Sequence, residues 1–280
     1  MRFSRTGTAA RTLTLALSAI VAGSLLAAST VSSSAASAPK KEKPKPTVVL
    51  VHGAFADASS WSDVVRRLQR DGYPVVAAAN PLRGLSSDAA YVRSVLDSVD
   101  GPVVLVGHSY GGSVITQAAA GDPDVKALVY IAAFIPEVGE SAGELAAKFP
   151  GSTLGDAVQP STYPLPGGGT GTELTIAQSK FHHQFAADVP AHTAAIMAAT
   201  QRPVSTLALE EKAAKAAWKD IPSYALVAGK DYNIPPEAEQ WMAERASAHT
   251  VTAREASHAA AVSEPGKVTD LILRAAHDTR

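Results

Sequence analysis

From Thr47 onward, short continuous apolar runs alternate with stretches in which apolar residues recur at helical spacing. The runs predicted as strands are Thr47–Val51, Tyr73–Ala79, Pro102–Val106, Val125–Ala132, Ser223–Ala228 and Thr250–Glu255. The predicted helices between and after them are Trp61–Arg70, Ala89–Val99, Ser113–Ala120, Pro236–Ala246 and Pro265–Ala276. Continuous apolar strands separated by helices are typical of a parallel sheet covered on both faces. The pattern therefore predicts an α/β domain over residues 47–280, with a mostly parallel sheet.

The alternation is interrupted over residues 136–219. A segment rich in glycine and proline, 150–171, is followed by helical patterns at 178–186, 191–199 and 207–219. No strand pattern is evident in this segment. An insertion of this length between two sheet strands predicts a helical cap over one edge of the sheet.

The first 38 residues have a different character. A basic start is followed by an apolar run, Leu13–Ala28, and by small residues that end at Ala38. This order is typical of a secretory signal peptide, with cleavage near Ala36 or Ala38. The alternative is a membrane anchor, but a run of about 16 residues diluted with Ser, Thr and Gly is short for a bilayer span of ~20. We therefore expect an extracellular protein without stable membrane insertion.

The lysines and prolines of residues 39–46 predict an extended, solvated linker before the domain. The formal net charge of −1 gives no basic surface for nucleic acid, so we expect none as a partner. Cysteine is absent, which excludes disulfides, thiolate metal sites and a cysteine nucleophile.

The strongest local signal is the motif Gly-His-Ser-Tyr-Gly-Gly at residues 107–112, between a predicted strand and a predicted helix. It fits the pattern G-x-S-x-G, in which a sharp strand-to-helix turn raises the serine hydroxyl above the sheet. The alternative is a glycine-rich turn with an incidental serine. The context favours Ser109 as a nucleophile at the N-terminus of a helix.

A serine hydroxyl needs a general base, and an imidazole with a pKa of about 6.5 can take and return a proton at neutral pH. Of the eight histidines, His258 lies just beyond the last predicted strand and before the last helix. His249 precedes that strand and would lie at the opposite edge of the sheet. His258 is therefore predicted as the base.

The acid that orients the base should follow a strand and lie between the serine and the histidine in the chain. Asp231 does so, just after the predicted strand Ser223–Ala228. Asp220 precedes this strand, and Glu255 is too close to His258 along the chain. A surface aspartate in a turn is the alternative interpretation of Asp231.

An oxyanion hole needs backbone N–H donors that point at the developing negative charge. Tyr110, the residue after the nucleophile, is predicted to supply one. The second should come from the loop at residues 52–57, where Gly53 permits a tight turn. Ala54 is the expected donor, and Phe55 is the neighbouring possibility.

Several stretches together resemble the lipase and esterase branch of the α/β-hydrolase superfamily. They are residues 51–55, 107–112, 130–136, 139–141 and 257–259. More narrowly, they are similar to the small cofactor-free group of plant methyl-ester esterases, hydroxynitrile lyases and bacterial relatives. The resemblance extends from about Thr47 to the end of the chain.

The resemblance implies the α/β-hydrolase fold, a triad of Ser109, Asp231 and His258, and Ala54 and Tyr110 as oxyanion donors. It also implies no cofactor and a mostly helical cap that shapes an apolar pocket.

Two differences from related families reduce the number of reactions expected of this chain. The lyases of this group carry a lysine directly after the triad aspartate, whereas here Tyr232 follows it and Lys230 precedes it. Epoxide hydrolases and haloalkane dehalogenases of this fold use an aspartate nucleophile, in place of which this chain has Ser109.

The expected function is therefore that of a secreted serine esterase that cleaves a small to medium uncharged carboxylic ester through an acyl-enzyme. A small-molecule ester is the expected partner. Two alternatives stay open: a cofactor-free perhydrolase or haloperoxidase with the same triad, and a non-catalytic ligand-binding member of the fold.

Candidates for the substrate pocket are bulky or ring-bearing side chains near the motifs and in the cap. They are Phe55, His108, Phe134, Phe181, His182 and Met197, with Phe149, Tyr163 and Phe185 as further cap candidates. Such residues at helical spacing are also typical of the core of a cap. The adjacent pair His182 and His183 lacks a partner carboxylate, so no metal site is predicted.

Overall fold

A computed structural model describes residues 44–279 of the protein. The strands are β1 (Thr47–Val51), β2 (Val75–Ala78), β3 (Val103–His108), β4 (Val125–Ile131), β5 (Val158–Pro164), β6 (Thr170–Ile176), β7 (Val204–Ser205), β8 (Ser223–Ala228) and β9 (His249–Ala253). The helices are α1 (Ser62–Arg70), α2 (Leu85–Leu96), α3 (Tyr110–Ala118), α4 (Ala142–Ala146), α5 (Gln178–Phe185), α6 (Ala191–Thr200), α7 (Thr206–Glu210), α8 (Pro236–Arg245), α9 (Ala260–Ser263) and α10 (Pro265–Asp278).

The main sheet has six strands in the order β2-β1-β3-β4-β8-β9, and every neighbouring pair is parallel. The α/β class and the parallel sheet predicted from the sequence are confirmed. The six predicted strands coincide with these elements to within a few residues. Because all the strands run the same way, the residues that follow them gather at one edge of the sheet.

The two faces of the sheet are both buried, which explains the continuous apolar runs. In β1, Val49 and Val51 belong to a core cluster with residues of α2, α3 and α8. Val48 and Leu50 point to the other face and pack with residues of α1 and α10. One strand therefore supports two cores, and both fix the position of its carboxyl end.

The cap differs from the sequence prediction, which expected helices and no strand. Between residues 136 and 219 it contains a three-stranded antiparallel sheet, β5-β6-β7, beside α4 to α7. β5 is an edge strand, largely exposed, and it contains Pro160 and Pro164. A proline within a run argues against a central strand, and an exposed strand needs no alternation of apolar and polar residues. The sequence of β5 therefore shows neither the composition nor the alternation by which a strand is predicted.

The helix predicted over 207–219 is also shorter than expected. α7 ends at Glu210, and only a 3-10 turn at Ala217–Lys219 follows it. The prediction of a continuous helix there was wrong.

The predicted signal peptide, residues 1–38, and residues 39–43 of the predicted linker lie outside the described residues, so secretion stays a prediction. At the end of that linker, Pro46 is buried and Lys45 donates a hydrogen bond to the carbonyl oxygen of Asp71. Ordered packing therefore begins slightly before Thr47. No helix within residues 44–279 has the length and apolar character needed to span a bilayer.

The close packing of the sheet between two cores leads to a prediction about the stability of the protein. Leu128 in β4 has no exposed surface, whereas Leu207 in α7 is 56% exposed. We expect Leu128→Ala to lower the free energy of unfolding by about 2–5 kcal/mol, because it leaves a cavity in the sheet core. Leu207→Ala, the same chemical change at the surface, should alter it by less than about 1 kcal/mol. Urea unfolding of both variants checks this, and equal losses would contradict it.

Candidate active site

Ser109 is the single residue between the end of β3 and the start of α3, and its backbone is strained. Its φ is 54° and its ψ is −125°, in a region that residues other than glycine rarely adopt. The turn is stabilised on both sides: the Ser109 amide donates to the carbonyl of Ile131, and the Ser109 carbonyl accepts from the amide of Phe134. The side chain is thereby raised above the carboxyl edge of the sheet.

The glycines around Ser109 are required by close backbone approach. A Cβ on Gly107 would lie 2.6 Å from the carbonyl oxygen of Gly111, and one on Gly111 would lie 2.5 Å from that of Val51. A Cβ on Gly112 would overlap the carbonyl oxygen of Phe134. The motif is therefore a packing requirement as well as a turn signal.

Asp231 and His258 form a buried hydrogen-bonded pair. They follow the neighbouring strands β8 and β9, and they are 3% and 1% exposed. His258 Nδ1 contacts Asp231 Oδ2, and because a carboxylate only accepts, Nδ1 carries the hydrogen. In the neutral ring, Nε2 is then the atom with the free lone pair. This is the tautomer that a general base requires.

Two backbone amides also donate hydrogen bonds to the Asp231 carboxylate. Its Oδ1 accepts from the amide of Asn233 at 2.6 Å and from that of Ile234 at 3.0 Å. The turn after β8 thus fixes the carboxylate that faces His258.

A second histidine, His108, supports the first. His108 Nε2 donates to the backbone oxygen of His258 at 2.8 Å, and the two ring centroids are 4.8 Å apart. Burial, and then the proximity of His258, lower the pKa of His108 to about 3. His108 is therefore a neutral structural donor at physiological pH, and a positive charge beside His258 is avoided.

Ser109 and His258 line one cavity of about 120 Å³. The Ser109 hydroxyl makes no hydrogen bond within residues 44–279, and such catalytic hydrogen bonds often tighten only when substrate binds. The other walls are mainly apolar, and none of the lining residues is Asp, Glu, Lys or Arg. The cavity thus favours uncharged ligands.

The predicted oxyanion donors also lie at this cavity. Tyr110 and Ala54 both line it. Tyr110 is the first residue of α3, so its amide has no acceptor within the helix. The Ala54 amide has no acceptor in the part of the chain that the structure describes. The next residue, Phe55, has a φ of 60°, which marks a tight turn at this loop.

The side chain of Tyr110 is held below the cavity. Its hydroxyl donates to Asp88 Oδ2 at 2.9 Å, and Asp88 is fully buried. Burial raises the pKa of Asp88, while hydrogen bonds from the amide of Arg83 and from Tyr110 act in the opposite direction. This contact fixes the start of α3, and with it the Tyr110 amide.

Of the residues predicted to line the pocket, Phe55 and Phe134 do so. Met197 lies instead in a neighbouring cavity of about 250 Å³, which shares Phe55 as a wall. Phe149 lines a third, wider depression.

The structure places His108, Phe181 and His182 outside the walls of the cavity that Ser109 and His258 line. His108 lies beneath His258, and Phe181 is buried against Phe185 with ring centroids 5.0 Å apart. His182 Nε2 donates to the carbonyl of Val189 at 2.9 Å. His108 and Phe181 belong to the buried core that supports the site, whereas His182 is an exposed residue of α5.

Sequence reasoning missed the residues that join the cap to the catalytic loops. Gln184 Nε2 donates to the carbonyl oxygen of Tyr232 at 2.8 Å and to Asn233 Oδ1 at 2.9 Å. The carbonyl of Phe185 accepts from the amide of Ala259 at 3.0 Å. The one available signal was a polar Gln184 between two phenylalanines of an apolar helix face.

Comparison with known proteins agrees with this geometry. Residues 48–271 match the model of the Alpha/beta hydrolase family. The chain belongs to that family. A solved structure of polyneuridine aldehyde esterase superposes with a TM-score of 0.71 at 22% identity, covering 82% of this chain and 98% of that one, and this shows a shared fold.

Two relatives of this alpha/beta hydrolase have named activities. A carbendazim hydrolyzing esterase from Nocardioides sp. (strain SG-4G) is 37% identical over 106 residues, 33% of this chain and 44% of that protein. The match thus spans less than half of that relative. Methylesterase 2 from Arabidopsis thaliana is 24% identical over 254 residues, 83% of this chain and 97% of that protein. The predicted resemblance to the esterase group is confirmed.

The glycine packing predicts a sharp difference between two substitutions in this alpha/beta hydrolase. Gly112→Ala should cost roughly 1–3 kcal/mol or more, because the new Cβ overlaps the Phe134 carbonyl and the backbone must shift. Gly266→Ala in α10 is the matched control, since its nearest neighbour is the Arg67 side chain at 4.0 Å. Thermal unfolding should show a lowered Tm for the first variant and an unchanged or raised Tm for the second. A Gly112→Ala protein as stable as wild type would contradict the packing argument.

Proposed function

We propose that this protein is a serine esterase that cleaves a small to medium uncharged carboxylic ester through Ser109, His258 and Asp231. One observation carries the proposal. A strained serine turn and a correctly tautomerised histidine, held by a buried aspartate, open into the same apolar cavity. The esterase names of its relatives agree with this activity.

In the first half-reaction, Ser109 Oγ attacks the ester carbonyl while His258 Nε2 takes the hydroxyl proton. The negative charge that develops on the carbonyl oxygen is received by the amides of Tyr110 and Ala54. Each such donor is typically worth about 3 kcal/mol in the transition state. Asp231 stabilises the imidazolium that forms.

The alcohol leaves as the C–O bond breaks, and it takes its proton from His258. Water then enters, loses a proton to the same imidazole and attacks the acyl-enzyme. Ser109 regains its proton when the acid departs. Every proton in this cycle passes through one ring, whose orientation therefore matters throughout.

The shape of the site supports an apolar substrate with two unequal parts. The inner cavity of about 120 Å³ shares Phe55, Leu154 and Leu209 with a wider depression of about 470 Å³. A small group fits the inner space, and a larger apolar group fits the outer one. No charged side chain in either wall would bind a carboxylate or an ammonium.

The arrangement around Lys230 gives no support to lyase chemistry. Lys230 is an exposed residue paired with Glu255, and it is not a wall of the cavity. Tyr232, which occupies the position of the lyase lysine, stacks on His183 with ring centroids 5.0 Å apart.

The first test is hydrolysis of p-nitrophenyl esters, from acetate to decanoate, by wild type and by Ser109→Ala. Wild type should turn over the shorter esters best, because the inner cavity is small, and a fluorophosphonate probe should label it. Ser109→Ala should lose the label and at least about 10³-fold in rate. Activity that survives in a folded Ser109→Ala protein would refute the proposed nucleophile. A wild type that neither turns over nor labels would favour a binding role.

The second test exchanges the acid for its amide. In Asp231→Asn, the amide oxygen can still accept from the backbone, so an N–H group faces His258 Nδ1 and forces the ring into the other tautomer. Nε2 then carries a hydrogen and cannot accept the serine proton. We expect kcat to fall by roughly 10⁴-fold with little change in fold. Asp220→Asn, an exposed aspartate before β8, is the control and should keep wild-type kcat.

A further inference from the structure

Glu239 is a buried acid near the catalytic pair that the mechanism above does not use. It lies in the first turn of α8 and is 3% exposed. Its Oε2 accepts from the amide of Ala228, the last residue of β8, at 3.0 Å. Its Oε1 is also buried, and within residues 44–279 no N–H or O–H group donates to it. An ionised carboxylate with an oxygen left in this state would be costly to bury.

The ionisable neighbour of Glu239 among the described residues is Asp231. Two adjacent carboxyl groups cannot both ionise in a buried site, so one of them keeps its proton. Asp231 already accepts hydrogen bonds from Asn233, Ile234 and His258, so its carboxyl oxygens act as acceptors. Burial, and then the charge and hydrogen bonding of Asp231, raise the pKa of Glu239 well above its usual range. The proton of the pair therefore belongs to Glu239.

Glu239 Oε1, the oxygen that receives no hydrogen bond, is where the proton of Glu239 lies. Oε2 is engaged by the Ala228 amide as an acceptor, which leaves Oε1 to carry the hydrogen. An O–H group is a donor, and the side chain that interacts with Glu239 and can accept from it is the Asp231 carboxylate. The buried oxygen without a donor is then explained, because it is itself the donor.

We propose that Glu239 is a positioning residue, whose neutral carboxyl donates from Oε1 to the Asp231 carboxylate and fixes it in the orientation that receives His258 Nδ1–H. It ties the acid to the end of β8 through Ala228, so strand, acid and base form one rigid unit. Its catalytic importance rests on the proposed esterase function, whereas the contact itself does not. Glu239 is not a wall of the cavity, so it should affect kcat and leave KM unchanged.

Two substitutions of Glu239 distinguish its role as a hydrogen-bond donor from its role in packing. In Glu239→Gln, the amide oxygen can accept from Ala228 and the amide N–H can donate to Asp231, so kcat should stay within about threefold of wild type. Glu239→Met is similar in length but has no donor, and kcat should fall by roughly 10- to 100-fold with KM unchanged. A folded Glu239→Met protein with wild-type kcat would overturn the proposal.

The pH dependence gives a second readout that does not need the methionine variant to fold. At alkaline pH, Glu239 loses its proton, the donor disappears, and two charged carboxylates repel each other beside His258. Wild type should therefore lose kcat at an alkaline pH at which Glu239→Gln, which cannot ionise, keeps it. Coincident alkaline limbs in the two proteins would overturn the proposal.

A third readout is independent of turnover. The proton on His258 Nδ1, hydrogen-bonded to a buried carboxylate, should give a far-downfield ¹H NMR resonance. That resonance should persist in Glu239→Gln and should shift or broaden in Glu239→Met. A wild type that shows this pattern but hydrolyses no ester would contradict the esterase and leave the role of Glu239 intact. An unchanged resonance in Glu239→Met would refute the role of Glu239, whatever the activity.

Discussion

The close crossing of backbone segments around Ser109 is the constraint on which the rest of the site depends. In the first turn of α3 the chain approaches the end of β1 and the segment after β4 so closely that a Cβ at Gly111 or Gly112 has no room. Such an arrangement persists only if the surroundings determine it completely, since the serine backbone is itself strained. Both faces of the sheet are packed, so the strand ends cannot relax away from the turn. The reactive hydroxyl is placed by core packing as much as by its own motif.

The electrostatics of the site follow from the same burial. Asp231 is grouped with the ionisable side chains of His258, His108 and Glu239, and all four are almost inaccessible to water. Their burial is tolerable because His108 and Glu239 are neutral, and Asp231 is the one ion with a full set of donors. In the proposed mechanism, His258 is the one of these four side chains whose charge changes when a proton is transferred.

Much of this arrangement was accessible from the sequence. Ser109 was predicted from the motif G-x-S-x-G, and Asp231 and His258 were predicted from their positions after strands, because parallel strands bring their carboxyl ends to one edge. A strand whose side chains are buried on both faces of the sheet gives a continuous apolar run, which is a strong signal of a strand in the sequence. The strands β5 and β6 lack such a signal, since most side chains of β5 are exposed and in β6 only Ile176 is buried.

The pocket and its supports were harder to predict for a related reason. Phe181 and His182 are adjacent on α5, and whether either reaches the cavity depends on how α5 packs, which no local pattern encodes. The contacts of Gln184 and Glu239 join elements that lie far apart in the chain. Their chemical types are visible in the sequence, but their partners exist only in the folded protein.

The bonds from α5 to the loops of the acid and the base have a consequence for the architecture of the enzyme. The carbonyl of Phe185 accepts from the loop of His258, and Gln184 binds the loop of Asp231. The cap therefore helps to hold the loops of Asp231 and His258, and it is not a lid that could be removed without affecting them. Exchange of this cap for that of a relative, as a way to alter specificity, would remove the contacts that orient the proton-transfer machinery. Under the proposed mechanism, an exchange of the cap is therefore expected to change turnover as well as selectivity.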